Sequence, residues 1–308
     1  MLSEASIDYS AGKTALHLGR SQVNLDNQRF IGTVGWRQVE RSYDTVYAAN
    51  SDVENLSILA AYVYGFQGVG AGATAETNSI LLNVKYKVAD ALTVTAYDYM
   101  IASLSDTLGL ALTGKIDAGA KLTYRAEYAQ QSNPTMEYRV KDVKADATYY
   151  NLDFGANISG FLVGLNYEVL GGQDKDDLTG TSEFQTPLAT KHKFNGWADV
   201  FLTTATEGLV DLNLRGGYQF DTAGKIIGIY HMFGAAADGT NGRKDGKDIK
   251  SGDAYGQEFD IAYSAKIPGA PGLKGLLKGA MYMGDDTTTE GAKDKTMVWV
   301  QLDYKFSI

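Results

Sequence analysis

Val298-Trp299-Val300-Gln301-Leu302-Asp303-Tyr304-Lys305-Phe306-Ser307-Ile308 puts Val298, Val300, Leu302, Tyr304, Phe306 and Ile308 on one side, and Gln301, Asp303, Lys305 and Ser307 on the other. Successive side chains of a strand point to opposite faces, so this is a ribbon with one oily and one wet face. Leu122, Tyr124, Ala126 and Tyr128 alternate in the same way with Lys121, Thr123, Arg125 and Glu127. So do Val210, Leu212, Leu214 and Tyr218 with Asp211, Asn213, Arg215 and Gln219. Alternation fits a water-soluble sandwich with the oily face inward, and equally a membrane sheet with that face outward.

Composition and spacing decide between them. The 308 residues include 35 Gly, 20 Tyr and 11 Phe, only 4 Pro and no Cys, with a formal charge of −9. No stretch approaches the roughly 20 apolar residues of a spanning helix, whereas strands of roughly 9–11 residues match a tilted bilayer crossing. Tyr and Phe near strand ends fit an interfacial girdle. The absence of Cys suits an oxidising envelope compartment. Met1-Leu2-Ser3-Glu4-Ala5 has neither the basic nor the apolar region of a signal peptide.

Working back from Ile308 predicts strands at 297–308, 276–284, 256–265, 225–233, 209–220, 161–170, 145–156, 120–129, 106–114, 92–101, 77–88, 55–65, 43–50, 14–21 and 3–10. The 43–50 strand is the weakest. Connections are alternately short, such as Asp221-Thr222-Ala223-Gly224, and long, such as 171–208, 235–254 and 285–295. The expectation is an all-β, antiparallel transmembrane β-barrel of the outer-membrane type with about 14–18 strands, about 15 of them in this chain. Because such barrels have even strand numbers, N-terminal strands are expected to be missing. One barrel domain, 1–308, is expected, with long loops at 21–42 and 171–208 folded into or over the pore. In 92–101, Val94 and Ala96 favour one face and Tyr97 and Tyr99 the other, which a bulge would reconcile.

Three His, at 17, 192 and 231, lie far apart and read as ordinary wall or loop residues. No HExxH, GxSxG, P-loop or CxxC pattern is present, and no Ser/His/acid cluster is visible. No enzyme, metal site or cofactor is therefore expected. The acidic groups Asp174, Asp176 and Asp177, then Asp238, Asp245, Asp248 and Asp253, then Asp285 and Asp286 lack calcium-loop spacing and read as solvated loops. Mixed charge over 241–250 argues against nucleic acid as a partner.

A Lys or Arg facing lipid at mid-bilayer costs about 2–4 kcal/mol, so Lys85, Lys121, Arg125 and Arg215 must face water, joined by Arg20 at a strand end. Asp153, Glu168, Asp211, Glu258, Asp260 and Asp303 share that lining, which fits either a structural ion-pair lattice or selectivity for an anionic solute. The segment 20–41 sets Arg29, Arg37 and Arg41 among Phe30 and Trp36 without clean alternation. It reads as an inward-folded loop offering guanidinium forks to carboxylates, or as an outer cap. In 171–208, Trp197, Asp199 and Phe201 are candidates for a gating loop, with Trp197 and Phe201 on a short helical turn.

Asn24-Leu25-Asp26-Asn27-Gln28-Arg29-Phe30-Ile31-Gly32 with Gly35-Trp36-Arg37-Gln38, and Lys191-His192-Lys193-Phe194-Asn195-Gly196-Trp197-Ala198-Asp199, resemble the alginate-export family of outer-membrane porins. The resemblance implies an eighteen-stranded monomer with an Arg-rich constriction, for which Arg20, Arg29, Arg37 and Arg41 are the candidates. The expected function is passive diffusion of hydrophilic, anionic solutes such as sugar acids, oligosaccharides or an alginate-like polysaccharide across a Gram-negative outer membrane. Expected partners are outer-membrane lipid and lipopolysaccharide, those solutes and the outer-membrane assembly machinery. The alternative is a structural or adhesive barrel with a plugged lumen.

Overall fold

A computed structural model describes residues 2–69, 74–136, 145–173 and 183–305. The acidic run Asp174, Asp176 and Asp177 and the last residues, Phe306 and Ile308, lie outside them. Among the described residues, fifteen strands form one antiparallel sheet in sequence order. They are β1 Ala5–Ala11, β2 Thr14–Ser21, β3 Ser42–Asn50, β4 Leu56–Gln67, β5 Thr74–Ala89, β6 Leu92–Ile101, β7 Ser105–Asp117, β8 Lys121–Ser132, β9 Ala147–Ile158, β10 Phe161–Leu170, β11 Leu209–Gln219, β12 Lys225–Gly234, β13 Ala254–Lys266, β14 Leu273–Gly284 and β15 Lys295–Tyr304. Every expected strand is present, the weak 43–50 segment included. Its pairing is irregular at Asp44/Thr45, a local bulge that blurs the alternation.

The two faces are sorted in the membrane sense. Val298 and Val300 of β15 are 68% and 77% exposed, whereas Glu258 and Asp260 of β13 are fully buried. Exposed Leu108, Leu110, Leu152, Phe154, Leu165, Leu214 and Ile261 continue the oily row. In water each such side chain would forgo about 1.5–3 kcal/mol of burial, so the face is built for hydrocarbon. Among the described residues no helix is long and apolar enough to cross a membrane, and the strands carry the span.

The expected bulge in 92–101 is a misreading. β5 pairs with β6 in unbroken register from Ile80↔Met100 to Lys87↔Thr93, and β6 with β7 from Thr93↔Thr113 to Ile101↔Ser105. Tyr97 and Tyr99 are on the polar face and buried there by Phe30 of the 22–41 loop, with ring centroids 5.3 and 6.2 Å away. Gly109 opposite Tyr97 makes the space, since a Cβ there would sit 2.2 Å from the Tyr97 ring. An aromatic on the wet face was covered by a loop rather than displaced by a bulge.

Contacts divide the chain into two compact units. One holds β1 to β6, most of β7, the second half of β8, the beginning of β9 and residues 176–194; the other holds the remainder, including 195–308.

Candidate functional site

In the first unit, residues 22–41 and 183–194 knit together over the polar face. Gly32 N–H donates to Leu188 O at 2.9 Å, and Thr190 N–H to Gln28 O at 3.0 Å. Thr190 Oγ1 donates to Gln28 Oε1 at 2.8 Å, and Tyr43 OH to Gly32 O at 2.9 Å. Phe30 anchors the knot among Tyr97, Tyr99, Tyr149 and Phe184. Asp26 accepts from Asn83 Nδ2 at 3.0 Å and pairs with Lys85 at 3.0 Å, which ties the loop to β5. Val34 holds φ at 60°, a left-handed conformation costly for a β-branched residue and sustained only by surrounding contacts.

This knot gathers cations. Arg29 is 2% exposed, its guanidinium 4.7 Å from the Phe194 ring centroid and 6.0 Å from that of Tyr149. Arg41 Nη1 donates to the carbonyls of Gly32 and Ala189 at 3.2 and 3.4 Å. Arg37 is exposed, 4.5 Å over Trp36, which stacks on His192 with centroids 3.9 Å apart. Lys193 Nζ donates to Asn27 O at 2.8 Å. Burial depresses the pKa of the Lys191 ammonium, and the positive charges of Arg41 and Arg29 depress it further. Along the chain Lys191 lies between Ala189, whose carbonyl accepts from Arg41, and Phe194, whose ring carries Arg29. Of the arginines named from the sequence, Arg29, Arg37 and Arg41 lie in this knot, and with them lie Lys191 and Lys193, legible in the sequence only as part of a basic triplet around His192. Arg20 is apart from the knot, its Nε and Nη2 donating to both oxygens of Asp44 at 2.6 and 2.7 Å.

The second unit has two features. A cavity of about 350 Å³ is lined by Lys121, Asp153, Arg215 and Lys225, among others. Arg215 there pairs with Asp153 at 2.7 Å and donates to Phe154 O at 3.2 Å. The structure thus brings together Lys121 and Arg215 and adds Lys225, which lies at a strand end where alternation gives no assignment. Arg125 is half-buried on the same face of β8 as Lys121.

The other feature is acidic. Glu168, Asp211, Glu258 and Asp260 are all buried, and residues 195–208 pack onto them. Ala198 N–H donates to Glu258 Oε1 at 2.7 Å and Trp197 N–H to Asp260 Oδ2 at 3.1 Å. Asn195 Nδ2 donates to Glu168 at 2.7 Å and to Asp211 at 3.2 Å, and His231 Nδ1 lies 2.8 Å from Asp211. Gly196 adopts φ +84°, and a Cβ there would meet Glu258 Oε2 at 2.4 Å. Lys278 Nζ lies 4.0 Å from the Trp197 ring centroid and 5.0 Å from that of Trp299. Phe201 is buried against Phe233, Tyr255 and Tyr282, and Asp199 O accepts from Lys295 Nζ at 3.4 Å. The short helical turn expected at Trp197 and Phe201 lies instead at Lys191–Lys193, and the 195–199 backbone turns through left-handed positions at Asn195, Gly196 and Asp199, which aims the N–H groups of Trp197 and Ala198 at the carboxylates.

No protein-family model matches this chain, and no curated protein does. Solved structures do. Acinetobacter baumannii OccAB2 superposes with a TM-score of 0.72 at 15% identity, covering 97% of this chain and 75% of that one. Pseudomonas aeruginosa OccK3 (OpdO) gives 0.71 at 12% identity, over 97% and 78%. Pseudomonas aeruginosa OccK7 (OpdD) gives 0.71 at 10% identity, over 97% and 76%. These neighbours are outer-membrane porins, and the alginate-export resemblance receives no support. The fold of this chain is that of an outer-membrane porin β-barrel.

Proposed function

We propose that the chain is an outer-membrane porin through which small hydrophilic, preferentially anionic solutes diffuse passively. The observation that carries the reading is the packing of Arg29 on Phe194 and of Arg41 on the Gly32 and Ala189 carbonyls in one knot that also holds Lys191, with Arg37 and Lys193 exposed. Arg41 is held by carbonyl oxygens, which orient a guanidinium without cancelling its charge. Arg29 is too buried to meet a solute and adds to the field, while Arg37, Arg41 and Lys191 are the groups a carboxylate would touch. In the first unit Lys85 adds positive charge, with Asp26 limiting dwell time, and in the second Lys121, Arg125 and Arg215 do so, with Asp153 in the same role. Sugar acids and small carboxylates fit this arrangement, the 21–42 and 171–208 loops narrow the path, and the barrel works as one domain in outer-membrane lipid without a cofactor.

In planar bilayers under a salt gradient, the protein should give a steady current whose reversal potential reports anion preference. Replacing Arg37, Arg41 and Lys191 together by Ala should move it toward cations. An unchanged reversal potential removes these residues from the path, and absence of current favours the plugged, structural barrel.

A further inference from the structure

A Ser/His/acid grouping that no motif announces is built from β1 and β2. His17 of β2 is buried, its ring stacked on Tyr47 with centroids 4.5 Å apart and planes 8° from parallel. Its Nδ1 lies 2.7 Å from Asp8 Oδ1 on β1, and its Nε2 lies 3.0 Å from Ser21 Oγ at the end of β2. A carboxylate only accepts, so Nδ1 carries the proton and donates to Asp8. Nε2 is then the acceptor, and the Ser21 hydroxyl donates to it. Asp8 is itself steadied by Ser6 Oγ, which donates to Oδ2 at 2.8 Å. Register explains the assembly, because Asp8 pairs directly with His17, and Ser6 with Gly19. Gly19, between His17 and Ser21 on the same face, holds φ +135° with β1 so close that a Cβ would meet Ala5 O at 2.3 Å. The bend and the missing side chain let residues four apart on one strand touch.

We infer that Asp8, His17 and Ser21 form a nucleophilic triad at the loop end of β2 that hydrolyses short, water-borne carboxylic esters. Such triads are recognised by geometry and by the order acid, imidazole, hydroxyl, not by position in the chain. Ser21 is half-buried and Asp8 exposed, so the group opens to water. The surrounding Ser6 and Asp8 are polar, which suits a short acyl group rather than a lipid chain. Ser21 Oγ bonds to the ester carbonyl carbon as its proton passes to His17 Nε2, and Asp8 stabilises the imidazolium. Collapse of the tetrahedral adduct breaks the carbon–oxygen bond to the alcohol, which leaves with the proton from Nε2. Water then attacks the acyl-Ser21 with Nε2 as base, releasing the carboxylic acid and restoring the hydroxyl. Ester and water give acid and alcohol, with no other reactant.

The test uses the full chain folded in detergent micelles, with a fluorophosphonate as the covalent probe and 4-nitrophenyl acetate as the ester. The fluorophosphonate should label Ser21, and 4-nitrophenol release should show a burst. Ser21→Ala should abolish labelling, His17→Gln should lower its rate at least about 100-fold and Asp8→Asn about 10-fold, with single-channel conductance unchanged in all three. If Ser21→Ala does not fold, Ser21→Cys serves, and its alkylation by iodoacetamide should slow about 10-fold when His17→Gln is added. Failure of the folded wild type to label at Ser21, equal labelling of Ser21→Ala, or alkylation indifferent to His17 would each overturn the triad while leaving the pore reading intact.

Discussion

The segment between β10 and β11 is held in two opposite ways, one on either side of the Phe194-Asn195 bond. Residues 183–194 join the 22–41 loop in a cationic knot whose guanidinium groups rest on aromatic rings and carbonyl oxygens. Residues 195–208 instead present backbone and amide N–H groups to Glu168, Asp211, Glu258 and Asp260. In the first region positive charge is oriented by rings and carbonyl oxygens. In the second, negative charge is spent on holding backbone, because a buried carboxylate must be met by donors. The two halves of one loop are thus attached through opposite chemistry, cations on rings and carbonyls in the first and N–H groups on carboxylates in the second.

Phe30→Ala should strike hardest at this contrast, since removing a core aromatic costs about 3–5 kcal/mol. Limited proteolysis should then cut 22–41 and leave 195–208 protected. Equal cutting of both would show that the two attachments are one. Gly196→Val is the mirror experiment, with a Cβ driven toward Glu258 at a left-handed position. A cost of about 3 kcal/mol should expose 195–208 to protease and raise single-channel conductance while leaving anion preference in place.

Smaller effects sharpen the comparison further. Glu258→Gln keeps an acceptor for the Ala198 N–H but removes its charge, which should cost about 1–2 kcal/mol in chemical denaturation and barely move the reversal potential. A large selectivity shift would place Glu258 in the solute path. The smallest effect is titration of Lys191. Its folded-state pKa lies below that of the unfolded lysine, so the protonated site carries a penalty at neutral pH that is relieved as pH rises through the lowered value. Anion preference should therefore weaken between neutral pH and about pH 10, before ordinary lysines discharge, and Lys191→Gln should flatten that profile.

Strand positions were readable because alternation is local. Lys121, Arg215, Glu258 and Asp260 were assigned to the wet face from their neighbours alone, and all are there. Tyr97 and Tyr99 misled the same reasoning, since what hides them is Phe30, far away in sequence. Lys225, Lys191 and Lys193 escaped it because a strand end or an irregular loop has no period to read. The helical turn expected at Trp197 and Phe201 is absent from those residues because the carboxylates that fix the 197–198 turn come from β13, far away in sequence. The Asp8, His17 and Ser21 grouping was invisible for a related reason: its partners meet through a hairpin register and a bend at Gly19.

What this sequence determined by itself is the order of fifteen strands and which side of each is greasy, because a period of two is written residue by residue and the energy of an exposed apolar row leaves one solvent for it. Which neighbour each charge meets was decided only in three dimensions. A cation's worth depends on whether the oxygen beside it is a carboxylate or a carbonyl, and chain folding alone chooses that neighbour.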